Sequence, residues 1–176
     1  RLEKSDGWDC LRSIDAPDEQ NLQINAQIFA QTAISNMFRA DDIDKFPAPG
    51  CLSLLTALVL KVYLGHEFKP EQRNISTVYQ CLQEKDGEEF LKSLFDEDSM
   101  ADEEKICLGP YRSFLEGSPN MRGVVMSTLA TKLQVFQSSM VRKVLSTNDI
   151  DLVAPGKETC AYFCVFPDNH ATFKFV

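Results

Sequence analysis

Between Cys51 and Leu64 the chain runs for 14 residues that are apolar except at Ser53, Thr56 and Lys61. A helix built from this run is hydrophobic nearly all round, so it has no face suited to water. Crossing a membrane takes about 20 apolar residues, which this run does not reach. The expectation is therefore a buried central helix, about 51–65, around which other helices pack. A chain of 176 residues, 44% hydrophobic and 25% charged, is long enough for one domain with its own core.

The segments on either side supply the packing partners. Asp15-Ala16-Pro17-Asp18-Glu19 combines a capping Asp, an early Pro and carboxylates suited to the positive end of a helix. Leu22, Ala26, Phe29, Ala33 and Met37 then recur at helical spacing. The acidic run at 41–44 and Pro47-Ala48-Pro49-Gly50 read as a loop. Beyond the central run, a short helix is expected at about 75–83, started by Asn74, and another carries Phe90, Leu91, Leu94 and Phe95 on one stripe. A fifth, through Ile106, Tyr111, Phe114 and Leu115, is expected to kink or break at Gly109-Pro110, because Pro lacks a backbone donor and clashes with the preceding turn. Ser118-Pro119-Asn120 opens a sixth that reaches about Phe136, with a short seventh at 138–145. Thr159 to Phe166 is apolar on both faces and reads as a central parallel strand with no partner in the helical portion. The fold class is mainly α, a bundle of about six to seven helices with a minor β-strand appendage at the termini.

Charge narrows the function. The net charge is −8, and residues 83–104 alone hold 10 acidic and 2 basic groups, which equals the whole imbalance. Such a chain is not coated for duplex DNA, although residues 105–176, with 8 basic and 5 acidic groups, leave room for a modestly basic face. Arg122, Lys132, Arg142 and Lys143 flank a helix bearing Ser127, Thr128, Thr131 and Gln134. Groups of this kind contact phosphates without reading sequence. The plain alternative is an ordinary solvated helix face. The acidic stretch likewise reads as a solvated face and linker, not as paired catalytic carboxylates.

No chemical signature emerges. Six cysteines occur without a CxxC pair and mostly within apolar stretches, which suggests free core thiols. Cys160, Cys164 and His170 invite a zinc reading, but on a strand the two thiols would stand about 13 Å apart, at about 3.3 Å per residue, too far to share an ion. A cysteine nucleophile needs an exposed, activated thiol, and no motif marks one. Neither GxxxxGK[ST] nor GxGxxG is present, so neither device can cradle a nucleotide's phosphates. Asn74-Ile75-Ser76 matches a glycosylation sequon, but a helix-starting Asn explains it better. The polar residues 1–9 do not form a signal peptide, and Arg1 in place of Met suggests a piece of something longer. Binding, with no catalytic residue, cofactor or metal, is the expected role.

Three stretches together resemble one family. Residues 118–136, SPNMRGVVMSTLATKLQVF, are similar to a helix of TraG/TraD-type coupling proteins of conjugative type IV secretion. Asn148-Asp149-Ile150-Asp151-Leu152, Pro155-Gly156-Lys157 and Val165-Phe166-Pro167-Asp168 resemble the segment that follows, and Thr172-Phe173 the start of the next helix. Ser5 to Leu11 resembles the chain leaving that family's nucleotide-binding domain. The resemblance implies a membrane-anchored, ring-forming parent ATPase, a homo-hexamer using ATP and Mg, with an all-helical insert on its cytoplasmic side. It implies the division 1–15 as a stub of the nucleotide-binding domain, 16–146 as the all-α substrate-recognition domain, and 147–176 as the return strand and stub. The implied partners are a relaxase or relaxosome protein, and single-stranded DNA weakly. Gly109-Pro110 departs from the continuous helix expected there. From the residues alone, a self-contained protein-binding adaptor or regulator stays open, with a cysteine hydrolase further off.

Overall fold

In the computed structural model the described residues are 6–38 and 47–162. Seven α-helices occur among them: α1 (Glu19–Met37), α2 (Ala48–Leu64), α3 (Ile75–Gln83), α4 (Gly87–Leu94), α5 (Leu108–Leu115), α6 (Pro119–Lys132) and α7 (Ser139–Leu145). The fold is a mainly α bundle, and α2 is its axis, packed against α1, α3, α5, α6 and the Asp102–Cys107 turn. Leu54, Leu55, Ala57, Leu58, Val59 and Leu60 along α2 are fully buried, as an all-round apolar helix must be.

Helix starts follow local chemistry. Asp18 Oδ1 accepts from the Asn21 backbone N–H at 2.8 Å, so the first carboxylate after Pro17 is the cap of α1. Asn74 caps α3 through Oδ1 and the Ser76 N–H at 3.0 Å, and Ser118 caps α6. α2 starts earlier than its sequence suggests. Pro49 falls in its first turn, where a missing N–H leaves no intrahelical bond unmade, so the expected break lies inside the helix. Packing favours glycine at the next position, since a Cβ on Gly50 would sit 2.7 Å from Cγ2 of Val125 on α6 and force it to shift.

The expected discontinuity at Gly109-Pro110 takes a specific form. A 3₁₀ stretch, Asp102–Cys107, runs straight into α5, and Pro110 lies in the first turn of the α segment. α6 ends at Lys132, four residues short of Phe136, and a 3₁₀ turn (Gln134–Gln137) continues the chain. Its three-residue repeat keeps Leu133 and Phe136 on one side, and both are buried. Phe29 and Met37, expected in the apolar face of α1, are only half-buried; Leu22, Ala26, Ala30, Ala33 and Ile34 form the seam.

The strand expected at 159–166 is not seen where it can be examined. Residues 159–162 are bend and irregular chain, and 163–166 lie outside the described residues. A strand requires a neighbour for its backbone groups, and the described residues contain no other strand. Cys164 and His170 also lie outside them.

Candidate functional site

The four basic residues singled out by sequence divide into two pairs. Arg122 on α6 is committed to the fold. Its Nε and Nη2 donate to Glu88 Oε1 on α4 at 3.1 and 2.6 Å, and its Nη1 donates to the carbonyls of Leu115 and Gly117 at 3.3 and 2.7 Å. One guanidinium thus closes the C-terminal end of α5 and ties α4 to α6. The Arg122 hydrogen bond holds the Glu88 carboxyl below its usual range. Lys132 is also engaged: Nζ donates to the Met37 carbonyl at 2.9 Å and lies 4.9 Å from the centroid of the Phe38 ring. A cation at the last carbonyls of α1 favours the negative end of that helix. Arg142 and Lys143, in the last turn of α7, are exposed, with no side-chain partner among the described residues. Two of the four cations therefore remain open to a partner.

The acidic segment hides a residue that sequence reading places in solvent. Glu104 is 3% exposed and pairs with Lys61 of α2, itself 3% exposed. Nζ of Lys61 lies 2.5 Å from Glu104 Oε2 and 2.9 Å from Glu67 Oε1. Glu104 Oε1 accepts the His66 backbone N–H at 3.1 Å, while the imidazole reaches Glu103 at 2.9 Å. Burial works to raise the Glu104 carboxyl, but the Lys61 hydrogen bond and the His66 N–H outweigh it and hold it below its usual range. For Lys61, burial works to lower the ammonium, and its bonds to Glu104 and Glu67 hold it above its usual range instead. The signal was present in the sequence: a lysine in a helix apolar all round needs a buried carboxylate.

Four of the thiols pack into the helical body, whereas Cys160 is exposed. Burial pushes Cys10, Cys51, Cys81 and Cys107 up to about 12, so at neutral pH they stay protonated. Among the described residues no three His, Cys, Asp or Glu side chains are grouped to hold a metal. Nor is any helix among them long and apolar enough to cross a membrane.

The two ends of the helical body meet. The Gly7 N–H donates to Asp149 Oδ2 at 2.8 Å, and the Asp149 N–H donates back to the Gly7 carbonyl at 2.8 Å. The Trp8 N–H adds a bond to the Val144 carbonyl at 2.8 Å. Only glycine permits the approach, since a Cβ on Gly7 would lie 1.6 Å from Thr147 Oγ1. Leu11 and Ile14, in the Cys10–Ile14 turn just inside this clasp, are fully buried in the core.

The described residues thus form a mainly helical body with Gly7 and Asp149, near its two ends, hydrogen-bonded to each other. The sequence profile of the family described as type IV secretory system conjugative DNA transfer matches residues 2–176, and the chain belongs to that family. No curated protein and no solved structure gives a significant match.

Proposed function

We propose that this chain is the substrate-docking domain of a conjugative coupling protein, binding the relaxase or other relaxosome proteins on the cytoplasmic side during DNA transfer. The clasp between Gly7 and Asp149 carries this reading. A helical body whose two ends are held together can be inserted into a host domain without disturbing it. The host is a ring-forming, membrane-anchored ATPase that uses ATP and Mg, and its phosphate-binding loop is not among these residues. Residues 16–146 form the docking domain, flanked by 1–15 and 147–176 as the connections to the host. DNA contact is weak, since Arg122 and Lys132 are engaged within the fold and the overall charge is −8.

Titration calorimetry of this chain with the relaxase of the same conjugative element tests the proposal. Micromolar or tighter binding is expected, along with no ATP binding. A silent titration with the relaxase would sink it. With labelled single-stranded DNA, anisotropy should rise only at low salt, because counterion release makes such binding fall steeply as salt increases.

A further inference from the structure

α1 forms an uncharged ridge between two clefts. After Glu19 the helix carries no charged side chain to its end at Met37, in a chain that is 25% charged. On one side lies a cleft of about 340 Å³, walled by Trp8, Phe29, Phe136 and Leu145. On the other lies a wider groove of about 650 Å³ between α1, Leu52 and Thr56 of α2, and Gly109-Pro110 at the start of α5. Ile28 and Thr32 border both. None of the residues lining either cleft is charged. On the crest, Ile24 is 44% and Ile28 59% exposed.

Charge depletion with apolar groups at the centre is the mark of an interface core, since charges there must be desolvated without repayment. An exposed pair of isoleucines one helical turn apart supplies the apolar anchor. The rest of the molecule sets the sign of the partner. Residues 83–104 carry the whole −8 imbalance, and the Asp102–Cys107 turn at their end packs beside α1, so the field there draws in a cationic protein, while the ridge itself offers no counter-charge. The partner's positive groups must then lie at the rim, and its contact patch must be uncharged.

We propose that the α1 ridge and its two clefts form the surface on which a positively charged protein docks, presenting apolar side chains to the clefts on either side of Ile28. This rests on the docking function proposed above and assigns it a place.

The test uses the full chain, with Ile28→Asp as the disrupting variant and Glu97→Gln/Asp98→Asn as a control in the acidic segment. Ile28 is largely exposed, so the variant should fold, and matching circular dichroism melts verify this. Gln27→Glu should act in the same direction if Ile28→Asp does not fold. Relaxase affinity should fall at least tenfold with Ile28→Asp and less than threefold with the control. Unchanged affinity with Ile28→Asp, or a larger loss from the control, overturns the surface but leaves the docking function standing. If the relaxase does not bind the wild-type chain, that function fails, and an independent probe decides the surface. The probe is a synthetic 18-residue helical peptide with Leu on one face and Lys on the other. Its amide shift perturbations should centre on α1 and Trp8, and should vanish when Leu is replaced by Ser. Perturbations centred on 84–104, or none, overturn the proposal. So does a dimer in sedimentation that Ile28→Asp dissolves, because the ridge is then occupied by a second copy.

Discussion

Lys61 Nζ and Glu104 Oε2 meet at 2.5 Å across 43 residues of chain, and both side chains are almost sealed from water. Removing Lys61 strands the Glu104 carboxylate in the core, whereas removing Glu104 leaves Lys61 its bond to the more exposed Glu67. Lys61→Met alone should therefore cost about 3–5 kcal/mol in urea unfolding, and Glu104→Ala less. The double change Lys61→Met/Glu104→Leu should recover most of that loss, because a well-packed apolar pair replaces a buried ion pair at little net cost. A double variant as unstable as Lys61→Met would show that the pair supplies more than mutual neutralisation.

The same pair sets a pH window. The folded Glu104 pKa lies below its ordinary 4.5, so its stabilisation is complete above 4.5 and disappears as pH falls through the folded value. The folded Lys61 pKa lies above its ordinary 10.5, so its stabilisation is complete below 10.5 and is lost as pH rises through the folded value. Melting temperature against pH should show a plateau between these limits. Glu104→Gln should lower the plateau and flatten its acid side, as differential scanning calorimetry can record.

Two helical glycines should respond in opposite directions to alanine. Gly123, in α6, has open space where a Cβ would go, so Gly123→Ala should stabilise by about 0.5–1 kcal/mol through helix propensity. A Cβ on Gly50 would lie 2.7 Å from Val125 Cγ2, and Val125 is buried and stiff, so Gly50→Ala should destabilise by about 1–3 kcal/mol despite the propensity gain. Adding Val125→Ala to Gly50→Ala should cost less than Val125→Ala does in the wild type. Chemical denaturation of the four variants gives the answer.

Arg122 and Arg142 should separate in the same assay. Arg122→Ala removes four hydrogen bonds from the junction of α4, α5 and α6 and should cost about 2–3 kcal/mol. Arg142→Ala, at an exposed position, should stay within about 0.5 kcal/mol of wild type. Any DNA affinity at low salt should depend on Arg142 and Lys143; equal stability of both arginine variants would contradict the assignment of Arg122 to the fold.

Much of this bundle is legible because helical signals are local. The three-to-four-residue recurrence of Leu22, Ala26, Phe29 and Ala33 marks α1, and Asp18, Asn74 and Ser118 mark starts by their own side-chain bonds. Lys61 announces a buried charge, but nothing local selects Glu104 from the ten acidic residues at 83–104. That choice depends on how the Asp102–Cys107 turn packs on α2. Pro49-Gly50 reads as a breaker because propensity rules treat both residues as interior, whereas here one opens the helix and the other admits α6. The candidate basic site was half legible for the same reason. Arg122 and Lys132 look free until helix ends 5 and 95 residues away supply carbonyls for them.

The clasp at Gly7 and Asp149 has a mechanical consequence. Tension that pulls the two connections apart meets the paired Gly7 and Asp149 bonds before any helix, and those bonds open one after another, like a zipper. The bundle behind them then feels little load until the clasp is gone. Force applied to both ends in the same direction leaves the clasp unloaded, because Gly7 and Asp149 then move together.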